Sequence, residues 1–403
     1  MLERNEMKRV VKANIDWFLN SGIMDPPDGA WGVAERIVIT KNNESMEKIY
    51  KIFSSYVEYD DYMILEHRRP DCNFETALMF VLASMIFNEN KYRTVAENIL
   101  RYLYCRSGMR RPDDGGMDYP LDSWKWSHDR WDVPVWLDDN AWNCVIPLII
   151  SKLEPEFERA FNLKASSLNL ASNMQSEFNR QFVSGNDRGE TSKWKGDLQS
   201  PHWGSLVVMA MAFAYSETRD EKYKESILQY EKYLLLNQGR FSASEDAYVI
   251  IGSSVAASAL NNDEILNTAE IYADIVLSKM DTDTGNIPSE WSKEAPTGKH
   301  LVDLIYTQNW GLLGLHTLSA LTSNPKYSLA FPKAMNLVVN IQDKSPEPYL
   351  KGCWRGMYDL NRRAWGGGDR HEGGANSIYS GWTNAPITII IASFILDKSY
   401  FIP

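Results

Sequence analysis

The chain has 403 residues, of which 44% are hydrophobic, and its formal net charge at pH 7 is −11. The surplus of acidic residues argues against nucleic acid as a partner. The longest near-apolar run, residues 387–396, is too short to cross a bilayer. No linker or change in composition divides the sequence, so we expect one domain over residues 1–403. The charged N-terminus leads into no apolar signal segment, which predicts a cytoplasmic protein, although a secreted chain with its signal removed would look the same.

Two kinds of helix alternate along the chain. One kind has an apolar stripe and a charged face, as in residues 223–235 and 265–280. The other kind is apolar nearly all round, so it must be buried on every side. In chain order, the predicted helices are 6–20, 45–56, 73–87, 91–104, 139–151, 156–183, 202–216, 220–236, 246–260, 263–280, 303–321, 326–341 and 384–396.

Six of these helices are of the fully apolar kind, and about six amphipathic ones alternate with them. This pattern predicts an all-α fold, the (α/α)6 toroid or six-hairpin barrel, with the apolar helices inside. The inner helices of such a ring begin at a common end, so their first residues should meet in one cavity. The residues predicted to line it are Glu75, Asp138, Asp139, His202, Asp246 and Asn384.

Tryptophans are concentrated in the predicted loops. Residues 106–137 form the longest segment without a helical period, and such long loops are usually functional. Aromatic rings stack on the C–H faces of sugars, so these loops are candidate carbohydrate-binding segments. The alternative is that the tryptophans anchor long loops to the barrel. The loop tryptophans are Trp124, Trp126, Trp131, Trp136, Trp291, Trp354, Trp365 and Trp382.

Two adjacent carboxylates, Asp138 and Asp139, stand at the start of one buried helix between Trp136 and Trp142. The helix dipole keeps an acid ionised, whereas a neighbouring like charge raises the pKa of one member of the pair. One ionised and one protonated carboxyl group are what glycosidic cleavage requires. The alternative is that Asp139 caps the helix and Asp138 is a solvated neighbour.

Further carboxylates also mark helix starts or loops. Glu245 and Asp246 open another buried helix, and Asp246 is a third catalytic candidate because adjacent residues on a helix diverge by about 100°. Glu75, in a first helical turn, and Glu290, beside a loop tryptophan, are candidate ligands for sugar hydroxyls. For each of them, helix capping or a loop contact is the alternative.

Histidines and an asparagine complete the candidate set. His202 precedes Trp203 at a helix start, where both could contact a sugar and the histidine could act as a base. His371 lies in the glycine-rich segment 366–374, which lacks the signature of a phosphate loop and is predicted to fold over the cavity mouth. Asn384 opens the sixth buried helix.

Arginines cluster near the C-terminus, within residues 355–370. Arginine suits bidentate binding of a carboxylate, so we expect the 354–382 loop to cap the cavity. Arg355 or Arg370 would then bind an anionic group, such as that of a uronic acid. The alternative is that these arginines pair with nearby acidic side chains.

The motif Leu137-Asp138-Asp139-Asn140-Ala141-Trp142 resembles the paired aspartates of bacterial endo-α-1,6-mannanases. The helical pattern as a whole resembles the six-hairpin glycosidase superfamily, which includes unsaturated glucuronyl and rhamnogalacturonyl hydrolases. The resemblance to the mannanases implies that both Asp138 and Asp139 are catalytic.

We therefore expect a glycoside hydrolase that cleaves an oligosaccharide, including one with an acidic sugar, without a metal or a cofactor. The four cysteines have no zinc spacing and are predicted to be reduced thiols. A sugar epimerase of the N-acylglucosamine 2-epimerase type is one alternative, but it typically needs two facing histidines, and only His202 and His371 are placed to serve. A polysaccharide lyase and a non-catalytic sugar-binding toroid are the others.

Overall fold

The structure, a computed structural model, describes residues 3–111, 121–129, 135–183, 194–290, 296–367 and 374–403. Its α-helices are α1 (Arg4–Asn20), α2 (Met46–Ile52), α3 (Pro70–Phe87), α4 (Asn90–Cys105), α5 (Leu137–Leu153), α6 (Pro155–Phe161), α7 (Leu163–Phe178), α8 (Pro201–Thr218), α9 (Glu221–Leu236), α10 (Ala243–Leu260), α11 (Asp263–Lys279), α12 (Gln308–Leu321), α13 (Pro325–Asn340) and α14 (Ala385–Ile395).

Twelve of the helices form two concentric rings. The inner ring is α3, α5, α8, α10, α12 and α14, in which each helix packs against the next and α14 closes onto α3. The outer helices α1, α4, α7, α9, α11 and α13 each pack against an inner helix. The predicted (α/α)6 toroid is confirmed, and the ring closes where the two ends of the chain meet.

Helix α8 illustrates why the two rings form. Every residue from Leu206 to Ala214 is buried, because α8 lies between two inner neighbours and an outer helix. Its outer partner α9 buries one stripe, from Tyr223 to Leu234, and exposes the opposite face. A Cβ at Gly252 on α10 would lie 2.5 Å from the carbonyl oxygen of Ser205, so a glycine there allows the two inner helices to approach closely.

Short strands, absent from the sequence prediction, connect the helices. They are β1 (Arg36–Ile39), β2 (Tyr56–Glu58), β3 (Tyr62–Leu65), β4 (Val135–Trp136), β5 (Trp194–Lys195), β6 (Ser289–Glu290), β7 (Pro296–Gly298), β8 (Leu301–Asp303), β9 (Met357–Asp359), β10 (Ala364–Trp365) and β11 (Ser377–Tyr379). One antiparallel sheet has the order β11-β1-β3-β2 and a second has the order β10-β9-β8. Pairing of Arg36 with Tyr379 brings the C-terminal part of the chain beside its N-terminal part.

Several predicted helix boundaries differ from the structure. The predicted helix 156–183 is broken at Asn162, which has a left-handed backbone (φ 55°), and it ends in a π-helical turn. The predicted helix 303–321 begins at Gln308, because Asp303 belongs to β8 and its carboxylate accepts the amide hydrogens of Ile305 and Tyr306. The predicted helix 73–87 begins earlier, at Pro70, so that Asn73 lies inside α3.

Within the described ranges, no helix has both the length and the apolar character needed to cross a membrane. All four cysteines are free thiols, and Cys105 is the exposed one.

An acidic side chain is buried between the two rings. Glu231 of α9 is 4% exposed, and the hydroxyl of Ser253 on α10 lies 2.9 and 3.0 Å from its two carboxylate oxygens. Burial raises the pKa of Glu231 to about 8, against the opposing effect of its hydrogen bonds to Ser253 and Thr268. The protonated form is therefore the stable one in the folded protein at neutral pH.

Glu231→Gln is expected to reduce the loss of thermal stability that the wild type undergoes between pH 5 and pH 8. The pKa of Glu231 is higher in the folded than in the unfolded chain, so the folded state retains a proton that the unfolded state releases, and stability falls as pH rises through this window. Glutamine cannot ionise, so its thermal midpoint should exceed that of the wild type at pH 8 and nearly match it at pH 5. The exposed Glu225→Gln on the same helix is the control. Equal pH slopes for wild type and Glu231→Gln would contradict this assignment.

Candidate active site

A pocket lies where the N-terminal ends of α3, α5 and α8 converge. Its volume is about 150 Å³, which at roughly 15 Å³ for each water-sized group suits one hydroxylated ring. Tryptophan and tyrosine side chains form half of the wall, and carboxylates, an arginine and a histidine supply the charged and polar groups. The lining residues are Arg69, Trp126, Trp136, Asp138, Asp139, His202, Ile305, Tyr306, Tyr379 and Trp382.

The two adjacent aspartates occupy the first turn of α5, and both are buried. They point to different partners because consecutive helical residues diverge. Oδ1 of Asp139 lies 2.7 Å from Nη2 of Arg69. Oδ2 of Asp138 lies 3.0 Å from Nε2 of His202, an ion-pair distance without the alignment of a good hydrogen bond. The second oxygen of each aspartate is buried and has no hydrogen-bond partner among the described residues.

The environments of these aspartates separate their pKa values. Burial is the largest influence on Asp139, and together with the charges of Asp71, Asp138 and Glu35 it outweighs Arg69 and raises the pKa well above its usual range. Burial also opposes ionisation of Asp138, but the contact and charge of His202 outweigh it and lower the pKa of this carboxyl. Two carboxyl groups with divergent pKa values can divide the roles of proton donor and ionised partner.

Arg69 is shared by three carboxylates. Its guanidinium lies 2.7 Å from Asp139, 2.7 Å from Asp71 and 3.1 Å from Glu35. Glu35 is also paired with Arg36 at 2.8 Å. These three acids therefore face two arginines, and the surplus negative charge favours a proton on one of them.

His202 is held by its neighbours on α8 and α10. Its ring stacks on Trp203 at 5.0 Å and on Tyr248 at 4.6 Å, with interplanar angles of 9° and 3°. Its backbone amide donates to Oε2 of Glu245 at 2.7 Å. The stacking fixes the plane of the imidazole and directs Nε2 toward Asp138.

Two of the pocket tryptophans, Trp136 and Trp382, belong to the predicted substrate-binding set. Trp126, one of the loop tryptophans, also lines the pocket, whereas the lining residues that the sequence did not predict are Arg69, Ile305, Tyr306 and Tyr379. Arg69 stands at the N-cap position of α3, a place from which the sequence could have nominated it.

Three predicted carboxylate ligands lie away from the pocket wall. Asp246 is paired with Lys279 at 3.5 Å, and its pKa is raised to about 7, mainly by burial. Glu290 contacts the same lysine at 3.1 Å and accepts the amide hydrogen of Ala243 at 2.8 Å. Glu245 anchors the start of α8 by accepting hydrogen bonds from the Ser200 hydroxyl and the amide of the second helical residue. The expectation that Asp246 lines the common cavity therefore differs from the structure, because its carboxylate is turned toward α11.

Two more members of the predicted set are parts of the protein interior. Trp142 is fully buried and stacks on Trp310 of α12 at 5.1 Å, so it packs the barrel centre. Asn384 is fully buried and accepts the amide hydrogen of Trp354 at 2.8 Å, while its own amide group donates to the carbonyl of Tyr379 at 2.6 Å. Trp142 lies within α5 and Asn384 immediately precedes α14, and neither side chain reaches the pocket.

The predicted arginine ligands have different outcomes. Arg355 is paired through two nitrogens with Asp343, at 2.8 and 2.7 Å, which leaves its charge neutralised. This is the alternative that the sequence left open, a loop arginine paired with an acid. Arg370 and His371 lie outside the described residues, as do Trp131 and Trp291.

Glu75 lies behind the pocket. It is 1% exposed, and its Oε2 accepts the amide hydrogen of Trp382 at 2.8 Å. Burial and the charge of Asp71 raise its pKa well above the usual range. Within the described ranges, no group of three or more His, Cys, Asp or Glu side chains is arranged to hold a metal ion.

Comparison with solved structures identifies the fold. The chain is similar to an unsaturated glucuronyl hydrolase from Streptococcus agalactiae (TM-score 0.63, 12% identity, covering 100% of this chain and 94% of that one). A glucuronyl hydrolase from Bacillus sp. GL1, described as responsible for the degradation of glycosaminoglycan, gives a TM-score of 0.63 at 12% identity over 98% and 99% of the two chains. Cellobiose 2-epimerase from Spirochaeta thermophila gives 0.65 at 14% identity over 98% and 96%.

These neighbours are carbohydrate-processing enzymes of the six-hairpin glycosidase superfamily, and the resemblance to that superfamily is confirmed at the level of the fold. No protein-family model and no curated protein matches the sequence.

Proposed function

We propose that this chain is a glycoside hydrolase that removes a terminal sugar from an oligosaccharide. The observation that carries the proposal is the pair Asp138 and Asp139, whose pKa values are driven in opposite directions inside an aromatic-walled pocket. Glycosidic cleavage needs these two protonation states beside one bond. The pocket volume of about 150 Å³ favours one sugar ring at a chain end over a long internal segment.

In the proposed mechanism, Asp139 is the proton donor. Its raised pKa keeps a proton available at neutral pH, and transfer to the glycosidic oxygen makes the departing sugar a neutral alcohol. Asp138 remains ionised beside His202 and stabilises the positive charge that develops on the ring as the bond breaks. A water molecule then adds to the anomeric carbon, and the proton that it releases returns to Asp139. Trp136 and Trp382 supply faces on which the ring can stack.

Hydrolysis is favoured over 2-epimerisation by the composition of the pocket. Proton transfer beside a carbonyl typically uses two facing basic groups, and His202 is the one histidine among the described lining residues. None of the four other described histidines lines the pocket: His67 is paired with Asp129 at 2.7 Å, for example, and His316 of α12 packs on Phe331 of α13. The carboxylate pair therefore supports bond cleavage better than isomerisation.

A panel of substrates tests the proposal. It contains neutral aryl glycosides, an unsaturated glucuronyl disaccharide, and cellobiose as the epimerisation substrate. We expect release of a sugar from at least one glycoside, with one oxygen from ¹⁸O-labelled water in the product, and no change in cellobiose. Formation of a 2-epimer without bond cleavage would replace hydrolysis with the epimerase alternative. The ratio of kcat/KM for the acidic and neutral glycosides decides whether a uronic unit is preferred.

A further inference from the structure

One residue of the pocket wall has an unfavourable backbone. Trp382 has φ 55° and ψ −30°, and it belongs to the segment 380–384, in which every residue is buried. A bulky side chain avoids positive φ, and such a conformation persists only where the surroundings impose it.

Two acidic residues in the first two turns of α3 accept hydrogen bonds from this tryptophan, one from its backbone and one from its side chain. Oε2 of Glu75 accepts its backbone amide hydrogen at 2.8 Å, and Oδ2 of Asp71 accepts its indole N–H at 2.5 Å. From α12, the side-chain amide of Asn309 donates to its carbonyl oxygen. Backbone and side chain of Trp382 are thus fixed by three polar residues of two inner helices.

The glycine before the tryptophan permits this approach. A Cβ at Gly381 would lie 2.4 Å from Oε2 of Glu75 and 2.5 Å from the Cα of Cys72. The loop therefore rests directly on α3, and the carboxyl group of Glu75 lies where a side chain at residue 381 would otherwise be.

The fixed indole of Trp382 lies close to the side chains that contact Asp138 and Asp139. Its ring centre lies 5.7 Å from the guanidinium carbon of Arg69 and 5.7 Å from the ring of His202. Asp71, which accepts the indole N–H, also pairs with Arg69 at 2.7 Å. A shift of the Trp382 loop would therefore move one pocket wall and a partner of the arginine that contacts Asp139.

We propose that Glu75 is a positioning residue, which fixes the left-handed backbone of Trp382 and so sets the aromatic wall on which the sugar stacks. The part of this inference that concerns the sugar rests on the proposed function. Glu75 does not touch the pocket, and its other oxygen, Oε1, has no hydrogen-bond partner among the described residues. Its role needs an acceptor at Oε2 and not a negative charge, so glutamine can replace it.

The test compares Glu75→Gln with Glu75→Met, which have similar size but differ in whether an acceptor remains. Hydrogen exchange is measured by mass spectrometry on peptides that span residues 380–384. We expect exchange there to accelerate by roughly tenfold in the Met variant, because a buried acceptor is lost, and to stay near wild type in the Gln variant. Unchanged protection in the Met variant would overturn the inference, whether or not the protein cleaves sugars.

Kinetics then separate positioning from general stability. On a cleaved glycoside, Glu75→Met should raise KM roughly tenfold with a smaller effect on kcat, and Glu75→Gln should restore the wild-type value. In the Trp382→Ala background, Glu75→Met should add little, because it acts through the missing indole. A full additional loss in that background would show a structural role instead. If the Met variant fails to fold, Glu75→Asp replaces it, since its carboxyl group is one methylene too short to reach the amide. Faster exchange in a protein that cleaves no glycoside would leave the positioning role intact and overturn the proposed function alone.

Discussion

Asp139→Asn is expected to lower kcat by about 10²–10⁴-fold on substrates with poor leaving groups, the usual range for loss of a general acid. Asparagine has nearly the same size and can stay beside Arg69, so the fold should be retained. A leaving group that departs without protonation should recover most of the lost rate. Steady-state kinetics on aryl glycosides of graded leaving-group pKa measure this difference.

The pH profile gives an independent check on Asp139. In the wild type, activity should fall on the alkaline side as Asp139 loses its proton, at a pH well above the usual range for aspartate. This alkaline limb should disappear in the Asn variant when a good leaving group is used. Asp246→Asn is the matched comparison, because that carboxyl group is also buried at an inner helix start but lies outside the pocket. Equal losses in Asp139→Asn and Asp246→Asn would contradict the assignment of the acid.

Asp138→Asn is expected to produce a loss of similar size, about 10²–10⁴-fold in kcat, that a good leaving group does not repair. The reason is that a neutral amide cannot stabilise the positive charge on the ring, whatever the departing group. Comparison of the two variants on one series of substrates separates their roles.

The acid limb of the pH–activity profile depends on the ionisation of Asp138. Its pKa is lowered by His202, so the wild type should stay active until the pH falls below the usual aspartate range. Removal of the imidazole in His202→Phe should move this acid limb to higher pH, since burial would then be opposed only by the backbone amide of Asp139 and the charge of Arg69. An acid limb that stays in place would show that His202 does not control the ionisation of Asp138.

The fold was predictable because the inner and outer helices differ in periodicity. A helix such as α8, which is apolar on every face, has one stable environment, and six of them in alternation define the double ring. The strands escaped prediction because they are short and are stabilised by distant partners. Strand β11, for example, pairs with β1 from the opposite end of the chain.

The site was predictable only where its residues are neighbours in sequence. Asp138 and Asp139 are recognisable in the sequence as an acidic pair at a helix start, and Trp136 precedes them closely. Tyr379 enters the pocket through strand pairing with residue 36, a contact without a local signal. Asp246 shares the helix-start position, but its direction depends on a lysine of the next outer helix. The position of a residue along its helix thus predicts at which end of the barrel it lies, whereas tertiary packing decides whether its side chain faces the pocket.

The closure of the ring by α14 has a consequence for the order in which the chain is made. Tyr379 and Trp382 line the pocket and immediately precede α14, whereas Arg69 and the aspartates are synthesised much earlier. A nascent chain that ends before residue 379 holds the acidic groups with only the earlier part of the aromatic wall, and it leaves the ring open between α12 and α3. We therefore expect the pocket to be complete only after the last inner helix has docked between α12 and α3.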